Sequence, residues 1–213
     1  MIVIGDIHGC FLTFKSLLKK LPDDEICLVG DFIDRGPKSR QMTEFLIEHP
    51  EIKSVLGNHE LLSCMALDED PKQSTFYWNW WTKSGGLATV NSYFDDNKAL
   101  CEVVDAHVDY WKSLPLYIEK DGLFISHSIV LHSLEFATRD IERVDSILWA
   151  RNAVTKKINN CFHVFGHTPV NRPMIRKHWA NIDTGCVFKR KNCGVLTALQ
   201  YPTMKIFQQE NID

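Results

Sequence analysis

Five short apolar runs in this chain each lead straight into a tight turn carrying Asp, Asn or His: GDIHG at 5–9, GDFIDRG at 30–36, GNHE at 57–60, ISHS at 125–128 and FGHT at 165–168. Strands that end side by side in an α/β sheet deliver whatever follows them to a common rim, and ligands bind outside those carboxyl ends. The groups delivered here are the oxygen and nitrogen donors that divalent metals use. The turns therefore constrain architecture and chemistry together.

The runs at 2–4, 26–29 and 54–56 read as buried strands. Between them lie a helix over 12–21, with Leu17, Leu18 and Leu21 inward and Pro22 as its stop, and a helix over 40–49 ended by Pro50. Such alternation implies parallel pairing. The middle reads as helices over 61–67, 74–83, 87–94 and 99–114, the last with Leu100, Val103, Val104, His107, Val108 and Trp111 at helical spacing. Strands over 116–119 and 123–126 form a hairpin around Lys120-Asp121-Gly122, followed by a helix over 140–151. Further strands cover 161–165, 179–182, 195–200 and 203–207, the last two joined across Tyr201-Pro202. A parallel half followed by a mostly antiparallel half predicts an α/β (α+β) fold: two mixed β-sheets packed as a central sandwich, with helices outside. A length of 213 residues at 45% hydrophobic content, without a composition shift, suits one domain over 1–213.

Charge and cysteines narrow the function classes. With 24 basic and 27 acidic residues the formal net charge is -3, which gives no general pull toward nucleic acid or an anionic membrane. Any anion must be captured locally. The run Lys189-Arg190-Lys191 reads as a solvated hairpin loop. Seven scattered cysteines with no C-x-x-C pair suit reduced thiols in the core. No segment has the apolar length of a membrane span, and the chain opens on motif residues without room for a leader, so a cytoplasmic protein is expected.

In GDIHG, Asp6 and His8 lie two apart and face one side of an extended segment, a carboxylate and an imidazole for one ion. Asp31 occupies the matching strand-end position in GDFIDRG and is the candidate bridge between two metals. Arg35 offers a guanidinium fork for phosphoryl oxygens, although a surface ion pair with Asp34 would explain both residues as well. In GNHE, adjacent residues point different ways: Asn58 can give an amide oxygen to a metal, or cap a helix over 61–67. His59 is then a general acid oriented by Asp34. His127 and His167 complete a second ion's shell, though each alone could be structural. Asp183, in Asp183-Thr184-Gly185, reads as a turn residue accepting local hydrogen bonds. Arg151 is either a second phosphate clamp or a charge favouring a helix C-terminus. His49, His107, His132, His163 and His178 are explained by helix or strand positions.

GDIHG, GDFIDRG and GNHE, in this order and at these intervals and followed by separate histidines, resemble the phosphoprotein phosphatase family of binuclear metallophosphoesterases. The likeness is closest to the compact bacterial and phage serine/threonine protein phosphatases. It runs from 2 to 187, is tight at the motifs and at 149–151, and is loose from 62 to 115. The resemblance implies the calcineurin-like sandwich, a first metal held by Asp6, His8 and Asp31, and a second held by Asp31, Asn58, His127 and His167. It further implies His59 with Asp34 as the acid pair, and Arg35, Arg151 and His59 on the substrate phosphate. His127-Ser128-Ile129 departs from the family, which has a small residue and then Gly or Asp after the His.

Two divalent ions, manganese first with iron, zinc or cobalt also suited, would draw in a phosphate dianion and share a hydroxide for in-line attack. The leading expectation is a serine/threonine protein phosphatase acting on phosphorylated proteins. A rival is diadenosine tetraphosphate hydrolysis, with Phe76, Tyr77, Trp78, Trp80 and Trp81 stacking adenine, against the plainer reading of a helix burying its aromatic face. A third is a non-catalytic, metal-dependent phosphate-binding module, which would need neither His59 nor Asp34.

Overall fold

The computed structural model describes residues 1–68, 71–94, 100–130, 144, 147–151 and 157–213, with the backbone alone for 71–73 and 100–103. Strands β1 (Ile2–Ile4), β2 (Ile26–Leu28) and β3 (Lys53–Ser54) pair in parallel, with helices α1 (Phe11–Leu18) and α2 (Ser39–Glu48) between them. Helices α3 (Asn58–Ala66), α4 (Pro71–Trp81), α5 (Leu87–Phe94) and α6 (Leu100–Ser113) follow, with a kink over Thr82–Gly86 between α4 and α5, where Gly85 takes non-helical backbone at φ 115°. Then come β4 (Tyr117–Lys120), β5 (Leu123–Ser126), β6 (Phe162–Phe165), β7 (Met174–Ile175), β8 (Trp179–Asn181), β9 (Val195–Gln200) and β10 (Lys205–Glu210).

These strands form two five-stranded mixed sheets, ordered β10-β9-β1-β2-β3 and β4-β5-β6-β8-β7. Among the described residues the later half is mostly antiparallel, in four of its six strand pairings, with one parallel block at its centre. β5, β6 and β8 run parallel, because long crossovers separate them, while the antiparallel members β4 and β7 sit at the two edges. The two-residue β7 escaped the sequence pattern, being too short to show a period. The C-terminal hairpin of β9 and β10 returns to the first sheet against β1. The helix expected over 140–151 falls largely outside the described residues.

Alternation within single strands explains the layers. Ile2 and Ile4 face the helices with Phe14, Leu17 and Met42, whereas Val3 turns the other way, onto Val55, Ile125, Val164 and Leu199. Both faces are thus buried, which is why these strands read as continuous apolar runs. Register does the rest. Ile4 pairs with Leu28, Leu28 with Ser54, and Ile125 with Val164, so the turns that follow emerge together at one end. Among the described residues six cysteines are free, and no helix is long and apolar enough to cross a membrane.

Leu199 is fully buried between the sheets. Replacing it with Ala is expected to cost about 2–5 kcal/mol, read as a lower urea midpoint at unchanged slope; a shift within error would mean the sandwich interface is not the stabilising core.

Candidate metal centre

The GDIHG turn is docked on the GDFIDRG turn by backbone alone: Ile7 and His8 both donate to the Asp31 carbonyl, at 3.1 and 2.9 Å, and Gly9 donates to the Phe32 carbonyl at 2.8 Å. A third turn is tied in by Glu60, whose buried carboxylate accepts from the amides of Gly57, Asp31, Phe32 and Ile33 at 2.9–3.2 Å. Glu60 had no role assigned by sequence. Its position three residues after Gly57 at a helix start was the available signal. Gly57 and Gly166 are required for close approach: a Cβ on the first would meet the Asp31 amide, and on the second the Asp6 carboxylate. The left-handed backbone falls instead on the polar residues themselves, with φ of 48° at His8, 49° at Asp31, 69° at Asp34, 66° at Arg35 and 66° at His167. Strain of about 1–3 kcal/mol at each such position persists only where surrounding structure enforces it.

Asp31 is the shared member of two compact donor groups, His8–Asp31–His59 and Asp31–His127–His167. Its Oδ2 lies 3.7 Å from His8 Nε2, 3.9 Å from His59 Nε2 and 3.4 Å from His127 Nε2, while Oδ1 accepts from the His59 amide at 3.0 Å. Burial opposes ionisation of Asp31, but the imidazoles of His127, His59, His8 and His167 outweigh it and hold the carboxyl well below its usual range. Asn58 is not the helix cap. Gly57 takes that place and Asn58 begins α3, which turns its Oδ1 to 2.8 Å from His127 Nε2 and 2.9 Å from His167 Nδ1. Asp6 stands outside both compact groups, with its oxygens 3.1 and 3.2 Å from the His167 amide that donates to them.

The donors fit divalent cations. His127 Nδ1 must donate to the Val29 carbonyl at 2.8 Å, so its Nε2 presents a lone pair to the Asn58 oxygen, two acceptors in contact. His8 Nδ1 likewise donates to the Ile33 carbonyl at 2.9 Å. His167 Nε2 is buried without a hydrogen-bond partner. Burial first lowers the pKa of His8 and His127, with His59 and Arg35 adding to it, and takes His167 down to about 3, which favours an unprotonated, metal-binding nitrogen on each. Asp6 is raised by burial and by Asp183 and Asp31, and Asp183 reaches about 7, mainly through burial. Such a carboxylate cluster calls for a cation. Asp183 also holds its own turn by accepting from the Gly185 amide at 2.9 Å.

His59 behaves differently from the other histidines. Burial lowers its pKa, but Asp31 and the hydrogen-bonded Asp34 carboxylate, 2.5 Å from Nδ1, raise it overall. Asp34 is fully buried and makes no surface ion pair with Arg35. Trp81 Nε1 donates to both its oxygens at 3.0 and 2.9 Å, and Thr89 Oγ1 donates at 2.6 Å. Sequence reasoning missed Trp81 and Thr89, since nothing local links them to a residue some fifty positions earlier. Arg35 donates to His8 Nε2, and its Nη2 lies 2.9 Å from His59 Nε2; its own amide and Nε donate to the carbonyls of Gly85 and Ser84 at 3.0 and 3.3 Å. Arg151 is exposed, and its charge reaches His167 and Asp183. Ser128, the departure beside His127, is buried and tied to this segment: its Oγ donates to the Ile147 carbonyl and accepts from the Ala150 amide at 3.1 Å. His107 Nδ1 bonds the Tyr93 hydroxyl and His163 Nε2 bonds Ser126, while His163 Nδ1 is buried without a partner.

A model of the calcineurin-like phosphoesterases matches residues 1–196. Among curated relatives, a bis(5'-nucleosyl)-tetraphosphatase PrpE [asymmetrical] of Bacillus cereus (strain Q1) is 29% identical over 96% of this chain and 91% of its own. That of Geobacillus sp. (strain WCH70) is 31% identical over 95% and 91%. A solved structure provisionally described as a diadenosine tetraphosphatase superposes with a TM-score of 0.67 at 22% identity, covering 100% of this chain and 93% of the other. A metallophosphoesterase from Sphaerobacter thermophilus gives 0.54 at 17%, over 99% and 88%.

Metal-stripped protein is expected to unfold at lower temperature and to recover on adding manganese, because a ligand bound by the folded state stabilises it, by about 2.7 kcal/mol at a hundredfold excess over Kd; equal melting with and without metal would contradict a centre here. Trp81→Phe deletes the N–H to Asp34 while keeping a ring, and is expected to lower kcat by roughly tenfold or more at unchanged metal content by elemental analysis. An unaltered kcat would show that Asp34 needs no such anchor.

Proposed function

The chain belongs to the calcineurin-like phosphoesterase family, and we propose that this metallophosphoesterase hydrolyses dinucleoside polyphosphates, of which diadenosine tetraphosphate is the test case. The observation that carries the choice is an aromatic step beside the site. Trp80 remains 42% exposed and stacks on Trp149 with centroids 6.0 Å apart and planes at 30°, while Phe76 and Trp78 are 63% and 38% exposed. The helix therefore does not bury its aromatic face, apart from Trp81 and the half-buried Tyr77. Trp80 precedes the Asp34 anchor Trp81 in sequence and Trp149 lies two residues before Arg151, so the exposed aromatic pair is carried by the same two segments that supply these site residues, and we take it as the place where a nucleobase stacks. The names of the tetraphosphatase relatives support the same reading. A phosphorylated serine or threonine protein is the second reading, carried by the motif resemblance; it now ranks behind.

In this reading Asp31 is common to two metal positions, with His8 and Asp6 on one side and Asn58, His127 and His167 on the other. Manganese, iron, zinc or cobalt would suit these donors. Bound divalent ions supply Lewis acidity and activate water near neutral pH. Arg35 already touches the neutral imidazole of His8, so an anionic phosphoryl oxygen arriving there replaces a neutral acceptor with a stronger one and relieves the contact with His59. Arg151 approaches from the His167 side. His59, its Nδ1 proton held by Asp34, presents Nε2 to the departing oxygen and protonates it.

Rates on diadenosine tetraphosphate and on a phosphothreonine peptide, measured in parallel, test the substrate class. Higher kcat/KM on the dinucleotide is expected, and efficient turnover of the peptide alone would overturn the proposal in favour of the second reading. His59→Asn is expected to reduce kcat by about 100- to 10,000-fold with two metal equivalents retained. Normal turnover with both metals bound would remove His59 from the chemistry, and loss of a metal would make it a ligand.

A further inference from the structure

We propose that the basic loop at 189–191 is a subsite for the phosphates of the substrate chain beyond the one being cleaved, a role that its sequence as a solvated hairpin does not suggest. The inference rests on the polyphosphate reading above. Its starting point is Phe188. The ring lies 5.4 Å from the guanidinium carbon of Arg35 and 4.8 Å from that of Arg190, so one aromatic side chain spans from the phosphate-binding arginine to the basic loop. A cavity of about 500 Å³ is lined by both Arg35 and Lys189, together with Gly36, Pro37, Asn91 and Ser92. Lys189 also lines a second cavity, of about 550 Å³, with Phe188 and Arg190. Polyphosphate leaving Arg35 in this direction passes directly along Lys189.

The loop is braced in advance. Phe188 and Gly194 both donate to the Gly185 carbonyl at 2.9 Å, Cys193 donates to the Arg190 carbonyl at 3.1 Å, and the Asn211 amide donates to Gly194 at 2.8 Å. Arg190 Nε donates to Cys193 Sγ at 3.3 Å, which fixes its guanidinium beside Phe188. Asn192 and Gly194 take left-handed backbone, with φ of 66° and 84°, as a tight reversal requires. Lys189, Arg190 and Lys191 are nevertheless exposed. Among the described residues no carboxylate forms an ion pair with any of them. Asp213 also lines the cavity, but its oxygens accept from the Leu12 and Thr13 amides and the Thr13 hydroxyl at 2.8–3.1 Å.

Charge supplies the remaining step. A phosphomonoester places all its charge at the metals and Arg35, whereas a polyphosphate carries a negative charge on every further phosphate. On a chain of net charge -3, each of those needs a local cation. The exposed, uncompensated Lys189–Lys191 loop provides them on one flank, and the Trp80–Trp149 step serves bases on the aromatic flank.

The test compares AMP with ATP, which share a base and differ in phosphate number, by calorimetric titration of metal-loaded protein with divalent metal in excess. His59→Asn is used throughout to prevent turnover. ATP is expected to bind more tightly than AMP, and Lys189→Gln with Arg190→Gln is expected to reduce the ATP-to-AMP affinity ratio about tenfold or more. The ratio should also fall with rising salt in the parent and much less in the double variant. Lys189→Arg with Arg190→Lys should restore the ratio, which a general loss of fold would not allow. An affinity ratio unchanged by the double variant, or one lost equally in the charge-preserving variant, would overturn the subsite. Because ATP is a probe and not the substrate under test, this result stands apart from the peptide-against-dinucleotide comparison: a protein that turned over only the phosphopeptide would end the proposed function, while the ratio would still decide whether the loop holds a phosphate chain.

Discussion

The arrangement depends on Asp31. A carboxylate fully enclosed by protein would ordinarily be neutral, yet four imidazoles around it more than offset the cost of its burial. Its carbonyl carries the GDIHG turn, its amide is held by Glu60, and its two side-chain oxygens face different partners, the His59 backbone and a ring of histidine nitrogens. Nothing about the sandwich requires a left-handed residue at this point. The strain is affordable because the strands on either side are buried on both faces and cannot relax without exposing the core.

What surrounds Asp31 divides into donors and anchors. The donors come from strand ends of both sheets. The anchors come from the helical middle: Trp81 and Thr89 hold Asp34, while the kink between α4 and α5 offers the carbonyls of Ser84 and Gly85 to Arg35. The non-helical backbone of Gly85, at φ 115°, interrupts the helix there and turns these carbonyls to a residue from elsewhere. The middle segment therefore orients Asp34 and Arg35, the acid's partner and the phosphate clamp of the proposed function, without contributing a side chain to the two donor groups.

This division explains what could be read from sequence. The strand-end motifs were legible because each is a local event, an apolar run followed by a turn, and local events leave local signals. Two mixed sheets, the sandwich and the convergence of Asp31, Asn58, His127 and His167 followed from them. The pairing of β5, β6 and β8, the return of β9 beside β1, and the bond from Trp81 to Asp34 were not legible, since they join residues far apart in the chain and depend on packing. Asn58 shows how a local rule can mislead. Its residue type suits a helix cap, but Glu60 already satisfies the Gly57 amide, the helix begins one residue earlier, and the amide oxygen is released to the site.

Under the proposed function, the same contrast bears on how a weakly acidic protein would handle a strongly anionic substrate. A uniformly basic surface would attract nucleic acid and every other polyanion. Here the cations are few and placed: Arg35 is pinned by backbone carbonyls, Arg151 enters beside His167, and the loop beyond Phe188 is rigid before anything binds. Attraction is thereby confined to a path that starts at the metal donors, where neutral imidazoles and ionised Asp31 leave room for cationic charge. Discrimination against ordinary monoesters then needs no exclusion of them. It needs only that additional phosphates find positive charge and that bases find exposed aromatic rings, so longer substrates gain contacts that shorter ones lack.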